Sequence, residues 1–122
     1  MAILSFKELT VWQKSMDLAK RVYKISQTLP PEEKFGLVSQ MQRCAVSIPS
    51  NIAEGNKRST SKDYAQFLRL AGGSAAELET QLLLSQSIYG VEIKTELALL
   101  EEVQKMLEVM KRRLLQPKTY SL

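Results

Sequence analysis

The amino-acid sequence predicts an all-α protein, an antiparallel up-and-down four-helix bundle in which residues 1–122 form a single domain. Two observations lead to this prediction. Apolar residues recur at spacings of three and four through four separate segments, which is the pattern of amphipathic helices. Short stretches of proline, glycine and polar residues separate these segments, and short connections place consecutive helices antiparallel in a bundle.

The first helix is predicted to begin near Phe6, because Ser5 and Glu8 form an S-x-x-E capping box. The sequence "LPPEE" then ends this helix and starts the next, since proline suits a first helical turn and glutamates favour the positive helix N-terminus. One stripe of the first helix is predicted to face the core. It comprises Phe6, Leu9, Trp12, Met16, Ala19 and Tyr23.

The second helix carries one apolar stripe and an interior proline. Pro49 has no N–H, so the carbonyl of Ala45 loses its helical partner, and the helix is expected to bend unless polar side chains compensate. Gly55 and Asn56 mark the end of this helix. The stripe predicted to be buried comprises Leu37, Met41, Cys44 or Ala45, Ile48 and Ile52.

The third and fourth helices have clear terminal signals. Thr60 and Asp63 are predicted to cap the start of the third helix, and Gly90 its end. The fourth helix is predicted from about Glu92 until Pro117. Their buried stripes are predicted to comprise Tyr64, Phe67 or Leu68, Ala71, Ala75, Leu78, Leu82 and Ser85, and Ile93, Leu97, Leu100, Val103, Leu107, Met110 and Leu114, respectively.

The run "AGGSAAELE" places two glycines inside the third helix. Each of Gly72 and Gly73 costs about 1 kcal/mol relative to alanine. We therefore expect a close neighbour there, either another helix or a bulky ring such as that of Trp12 or Tyr23.

The helices carry more apolar surface than a solitary bundle needs. Leu82, Leu83 and Leu84 are consecutive and cannot share one face, and the first helix has a second apolar stripe. Surplus apolar faces most often contact another subunit, so the sequence predicts a homo-oligomer. The second stripe of the first helix comprises Val11, Leu18, Val22 and Ile25.

Composition excludes several classes of function. The sequence contains no histidine, the usual general base near neutral pH and the commonest transition-metal ligand. It also contains no glycine-rich phosphate loop of the Walker type. We therefore predict a protein that is not an enzyme and has no catalytic residues, no metal and no cofactor.

Other features favour a cytoplasmic protein that does not contact a membrane. A single cysteine, Cys44, fits a reducing compartment. No apolar run approaches the roughly 18 residues of a membrane span, and the N-terminus lacks the features of a signal peptide.

The net charge of +4 is unevenly distributed, with 11 Lys/Arg against 6 Asp/Glu in residues 1–75. One interpretation is an ordinary solvated surface, and the other is a basic face for nucleic-acid phosphates. Lys7, Lys14 and Arg21 are spaced seven apart with Lys24 beside them, which predicts a basic ridge along the first helix. The full set of candidate nucleic-acid-binding residues is Lys7, Lys14, Lys20, Arg21, Lys24, Lys57, Arg58 and Lys62.

A polar stripe also runs along the second helix, beside its apolar stripe. On a helical wheel it comprises Gln40, Arg43, Ser47, Asn51, Glu54 and Arg58. Two interpretations stay open: a structural network around Pro49, in which Glu54 pairs with Arg43 or Arg58, or a binding site made of the same groups.

Three blocks of the chain carry a family resemblance: "FKELTVWQKSMDLAKRVY", "EEKFGLVSQMQRCAVSIPSNIAEGNKRS" and "FLRLAGGSAAELETQL". They resemble, in order, the signature blocks of the bacterial four-helix-bundle family named for proteins encoded in intervening sequences of large-subunit ribosomal RNA genes. The resemblance covers nearly the whole chain and implies a ring-like homopentamer. The same fold occurs in the accessory protein of diversity-generating retroelements, which binds a reverse transcriptase and nucleic acid. The polar stripe coincides with residues of the second block.

Sequence and resemblance together leave three functional hypotheses. The first is a non-enzymatic oligomeric accessory protein that binds RNA or DNA through basic surfaces. The second is a scaffold that docks a partner protein and has no direct nucleic-acid role. The third, which ranks lowest, is an enzyme that uses Glu54 or Ser47.

Overall fold

The computed structural model describes residues 5–117, which form four α-helices and two short 3-10 turns. This part of the chain contains no strand, which confirms the predicted all-α four-helix fold. Each helix packs against two neighbours, because α1 contacts both α2 and α4 while α3 lies between α2 and α4. The elements are a 3-10 turn at Phe6–Glu8, α1 at Thr10–Ser26, a 3-10 turn at Pro31–Glu33, α2 at Leu37–Asn56, α3 at Ser61–Tyr89 and α4 at Lys94–Leu115.

Contacts between side chains show that α2 and α3 run antiparallel. Near the start of α2, the Ser85 hydroxyl donates to the Met41 sulfur at 3.4 Å. At the end of α2, the Asn56 amide donates to the Tyr64 hydroxyl at 3.3 Å. Early residues of α2 therefore contact late residues of α3, and late residues of α2 contact early residues of α3. The bundle has one end formed by the α2–α3 connection and another formed by the α1–α2 and α3–α4 connections.

The predicted caps at both ends of α3 are confirmed, but the predicted start of α1 is wrong. The Thr60 hydroxyl accepts from the Asp63 N–H at 3.1 Å, and Gly90 adopts a left-handed conformation with φ of 69°. Ser5 caps the separate 3-10 turn, where its hydroxyl accepts from the Lys7 N–H at 3.2 Å. Because Leu9 is extended, with ψ of 127°, the α-helix starts at Thr10 and not near Phe6.

The stripe predicted to be the core face of α1 is wrong in part, since Ala19 is buried but most of its other members are not. Val11, Leu18 and Val22 of the second stripe are at most 1% exposed, whereas Tyr23 of the predicted stripe is 41% exposed. Phe6, Leu9, Trp12 and Met16 of that stripe are only partly buried. The physical reason is that α1 packs against both α2 and α4, so its buried face points between those helices.

The cores of α2, α3 and α4 follow the predicted stripes. The sequence left two positions open. Cys44 and Ala45 are both buried, and of the other pair Leu68 is buried while Phe67 is only partly buried. Members near the helix ends pack on the core while partly exposed: Leu37, Tyr64, Leu97, Met110 and Leu114. The fully enclosed residues of these three helices include Met41, Ile48, Ile52, Ala71, Ala75, Leu78, Leu82, Ser85, Leu100 and Val103.

Two glycine positions behave differently from each other. At Gly55 a Cβ atom would lie 2.8 Å from the Cβ of Phe67 and 3.0 Å from Cδ1 of Tyr64, so glycine permits the close crossing of α2 and α3. At Gly72 and Gly73 a Cβ would meet nothing within 4 Å. The expectation that a helix or ring of this chain packs closely on those two glycines is therefore wrong.

Two further features bear on function. Within residues 5–117, no helix combines the length and apolar character that crossing a membrane requires. The same residues contain no group of three or more His, Cys, Asp or Glu side chains placed to hold a metal ion.

Candidate functional site

The structure divides the eight predicted phosphate-binding residues into two groups. Four lie along the outer side of α1: Lys14, Lys20, Arg21 and Lys24. The other four lie at the end of the bundle formed by the α2–α3 connection: Lys7, Lys57, Arg58 and Lys62. Lys7 belongs to the second group because it lies on the 3-10 turn before α1, so the predicted ridge along α1 does not extend to it.

Carboxylates are interleaved with the α1 group. Lys14 Nζ lies 2.7 Å from Glu102 Oε2 of α4, and Arg21 Nε lies 3.1 Å from Asp17 Oδ2. A shallow cavity of about 410 Å³ beside these side chains has both signs of charge in its lining, with Glu96 and Asp17 facing Lys20, Arg21 and Lys24. This side of α1 is therefore of mixed charge.

The group at the α2–α3 connection forms a more basic surface. We call residues 5–9, 54–63 and 108–117 the basic end, since they contain seven Lys/Arg and four Asp/Glu. The opposite end, residues 24–39 and 86–97, contains three Lys/Arg and four Asp/Glu. The charge difference between the two ends follows from antiparallel packing, which brings the C-terminal turns of α4 beside the α2–α3 connection.

Two cations at the basic end lie over aromatic rings. Lys57 Nζ lies 5.9 Å from the centroid of the Phe6 ring. The Arg58 guanidinium lies 4.6 Å from the Phe67 ring and 3.1 Å from Glu54 Oε1. All four predicted cations of the basic end are exposed.

The predicted polar stripe of α2 separates into three parts. At the basic end Glu54 pairs with Arg58, one of its two expected partners. In the middle, the Asn51 amide donates to the backbone carbonyl of Ser47 at 2.8 Å and to its hydroxyl at 2.9 Å. The Ser47 hydroxyl lies 2.8 Å from that of Ser74 on α3. This middle part forms a hydrogen-bonded network that links α2 to α3.

The remaining part of the stripe, Gln40 and Arg43, lines an open groove of about 440 Å³ between α2 and α3. We call this the α2/α3 groove. Its α3 wall was not predicted as part of a site, although Ser74, Glu77 and Gln81 follow one another at helical spacing. The complete lining comprises Gln40, Arg43, Cys44, Ser47, Ser74, Glu77 and Gln81.

Cys44 lies at the bottom of this groove. Burial raises the pKa of its thiol, which therefore keeps its proton near neutral pH. The S–H donates to Glu77 Oε2 at 3.5 Å, and the sulfur accepts from Gln81 Nε2, also at 3.5 Å.

A second groove, of about 540 Å³, lies between α1 and α2 and is mainly apolar. The sequence did not reveal this groove because its α1 wall was predicted to be core. The Trp12 ring packs edge-on against Phe6, with 5.4 Å between ring centroids. We call it the α1/α2 groove, and its lining comprises Trp12, Met16, Ala19, Lys20, Tyr23, Val46, Pro49, Ser50 and Ala53.

The chain is similar to a known protein family. The model of the family described as 23S rRNA-intervening sequence protein matches residues 7–112. None of the curated proteins compared with this chain matches it.

A solved structure supports the fold. It is a protein of unknown function from the S23 ribosomal protein family of Bacteroides thetaiotaomicron VPI-5482, with a TM-score of 0.63 and 24% sequence identity. The match covers 86% of this chain and 94% of that one. Since the family model spans most of the sequence, the chain belongs to the 23S rRNA-intervening sequence protein family.

Proposed function

We propose that this protein is a non-enzymatic, oligomeric accessory protein of the cytoplasm that binds RNA or DNA phosphates through its basic end. The observation that carries the proposal is the charge difference between the two ends of the bundle, seven Lys/Arg against four Asp/Glu at one and three against four at the other. Phosphate contacts need exposed cations that are not neutralised locally. Lys7, Lys57 and Lys62 meet this requirement better than the α1 group, whose neighbours include Asp17 and Glu102.

Assembly would multiply this modest charge, and the surface offers two complementary apolar features. The α1/α2 groove is concave, whereas α3 presents exposed apolar side chains on another face of the bundle, including Leu84 at 45% and Ile88 at 59% exposure. A contact that joins two different faces of one chain is heterologous, and repetition of such a contact closes into a ring when the rotation allows it. The family resemblance implies five copies, each of which would present its basic end.

The arrangement of the polar residues favours a binding role over catalysis. Ser47 shares its hydroxyl with Ser74 and Asn51, and Glu54 is paired with Arg58. Within residues 5–117, the Ser47 hydroxyl is not hydrogen-bonded to a carboxylate or amine that would activate it as a nucleophile.

A protein-interaction scaffold is the second candidate, and the α1/α2 groove is the observation that favours it. An apolar groove between two helices can accept one face of a partner's amphipathic helix. In that case the basic end would be an ordinary solvated surface, and nucleic acid would not bind.

Titration of labelled RNA and DNA oligonucleotides over a salt series separates these functions. Replacement of Lys57 and Lys62 by glutamine should weaken binding, whereas the same change at Lys14 and Arg21 should have a smaller effect because both already have carboxylate partners. If the wild-type protein fails to bind any oligonucleotide at low salt, the nucleic-acid proposal is wrong.

A further inference from the structure

The α2/α3 groove contains a buried polar atom whose hydrogen-bonding capacity is not used within residues 5–117. Gln81 is only 7% exposed, and its Oε1 has no hydrogen-bond partner in this part of the chain. Such an atom is costly, because a buried acceptor without a donor loses about 1–3 kcal/mol of solvation. Native proteins pair most of these atoms, so each exception points to a specific role.

The neighbours of Gln81 explain why its oxygen lacks a donor. The Cys44 thiol is protonated and directs its hydrogen to Glu77 Oε2, which leaves the sulfur as the acceptor for Gln81 Nε2. The amide nitrogen is thereby engaged and the amide oxygen is left over. Gln81 lines the groove, and its amide nitrogen is held only by this long 3.5 Å contact with sulfur. A ligand in the groove would reach Oε1 after the carboxamide turns toward it.

Two opposite charges line the same groove without forming an ion pair. Arg43 on α2 and Glu77 on α3 both border it, and neither takes part in an ion pair within 4.0 Å among the described residues. Arg43 can therefore donate to a ligand carboxylate, and the Glu77 carboxylate can accept from ligand N–H groups. The hydroxyls of Ser47 on α2 and Ser74 on α3 also line the groove.

From these groups we infer that the α2/α3 groove binds a small zwitterion of the α-amino-acid class. Its carboxylate would pair with Arg43, and its ammonium would donate to Glu77 and to Gln81 Oε1. The groove volume of about 440 Å³ lies within the range of about 300–1,000 Å³ that small-molecule sites occupy. This site is distinct from the basic end, and its existence does not depend on nucleic-acid binding.

The test uses the full chain and free α-amino acids as probes. Each is added at about 10 mM in a thermal-shift screen, because a ligand with a millimolar Kd then stabilises the native state by mass action. Amino acids that raise the melting temperature are measured by calorimetry beside their methyl esters and N-acetyl derivatives. At least one amino acid should bind, and each derivative should bind about 10-fold more weakly because one charged contact is lost.

Three variants assign the site. Arg43→Gln and Gln81→Met should each weaken binding about 10-fold, whereas Arg69→Gln should leave it unchanged. Arg69 is the matched control because it lies on α3, outside the groove, and donates to Gln66 at 3.0 Å. Circular dichroism checks folding, and if Gln81→Met does not fold, Arg43→Gln decides alone because Arg43 is exposed.

Several results would overturn the inference. They are an absence of binding by every amino acid, equal binding of the esters or N-acetyl derivatives, and unchanged binding by Arg43→Gln. A change of oligomer size in Arg43→Gln, measured by sedimentation, would also overturn it, because the groove would then be covered by a second copy of the chain.

Discussion

Asn51 and Ser47 are joined by two hydrogen bonds on one face of α2, since the Asn51 amide donates to both the carbonyl and the hydroxyl of Ser47. The same hydroxyl reaches Ser74 on α3. The residues around Pro49 thus connect two helices through a short polar chain, and we predict that this part of the polar stripe is structural.

Replacement of Asn51 by alanine should therefore lower the free energy of unfolding by about 1–2 kcal/mol, because two hydrogen bonds of a partly buried side chain are lost. Urea denaturation followed by circular dichroism measures the change. Ser50→Ala is the matched control, since Ser50 is exposed on the same helix and should shift the midpoint little. Equal stability of Asn51→Ala and the wild type would contradict the structural assignment of this network.

Gly55 and Gly73 should respond in opposite directions to alanine. At Gly55 the new methyl would lie 2.8 Å from the Phe67 Cβ, so the crossing of α2 and α3 must widen, at a cost of about 1–3 kcal/mol. At Gly73 the methyl meets nothing within 4 Å of this chain, so the gain in helix propensity of up to about 1 kcal/mol should stabilise it. The melting temperature should fall for Gly55→Ala and rise for Gly73→Ala. A Gly55→Ala variant as stable as the wild type would show that α2 and α3 do not cross closely at this point.

These positions show how far the sequence predicts the fold. The caps at Thr60 and Gly90 were predictable because each depends on a few adjacent residues. The buried face of α1 was not, because both of its stripes are apolar and only packing against α2 and α4 selects the one with Leu18. The α2/α3 groove depends on which turn of α3 faces Arg43, and a single helical wheel cannot give that relationship.

A charge placed in the α1/α2 groove should disrupt assembly and leave the fold intact. Val46 lines this groove and is 44% exposed, so Val46→Glu desolvates a carboxylate only when a second copy covers it. Val109→Glu is the control, because Val109 is 42% exposed on α4 and does not line the groove. Sedimentation equilibrium should show smaller species for Val46→Glu alone. Wild-type protein that is monomeric at micromolar concentration would contradict the predicted oligomer.

The Tyr89–Glu33 pair should make stability depend on pH in the acid range. The Tyr89 hydroxyl donates to Glu33 Oε2, and this bond is the main cause that holds the pKa of Glu33 below its usual 4.5. A lowered folded-state pKa means that the unfolded chain binds more protons, so the contribution is present above pH 4.5 and is lost as the pH falls through the folded-state value.

Tyr89→Phe should therefore flatten the pH dependence of stability. The stabilities of the variant and the wild type should differ least near pH 3. Urea denaturation from about pH 6 to about pH 3 measures this slope. The Glu108–Lys111 pair lowers the pKa of Glu108 independently and is retained in the variant, so part of the slope should persist. Parallel curves for wild type and variant would contradict the assigned role of Tyr89.

Binding at the basic end is the central claim, and a pair of double variants tests it most directly. Lys57→Gln/Lys62→Gln and Lys34→Gln/Lys94→Gln remove the same charge from opposite ends of the bundle. Fluorescence anisotropy with labelled RNA and DNA over a salt series should show weaker binding and a shallower salt slope, by about 0.9 per lost phosphate contact on duplex DNA, for the first variant alone. The absence of wild-type binding at low salt, or equal weakening by both variants, would contradict the proposal.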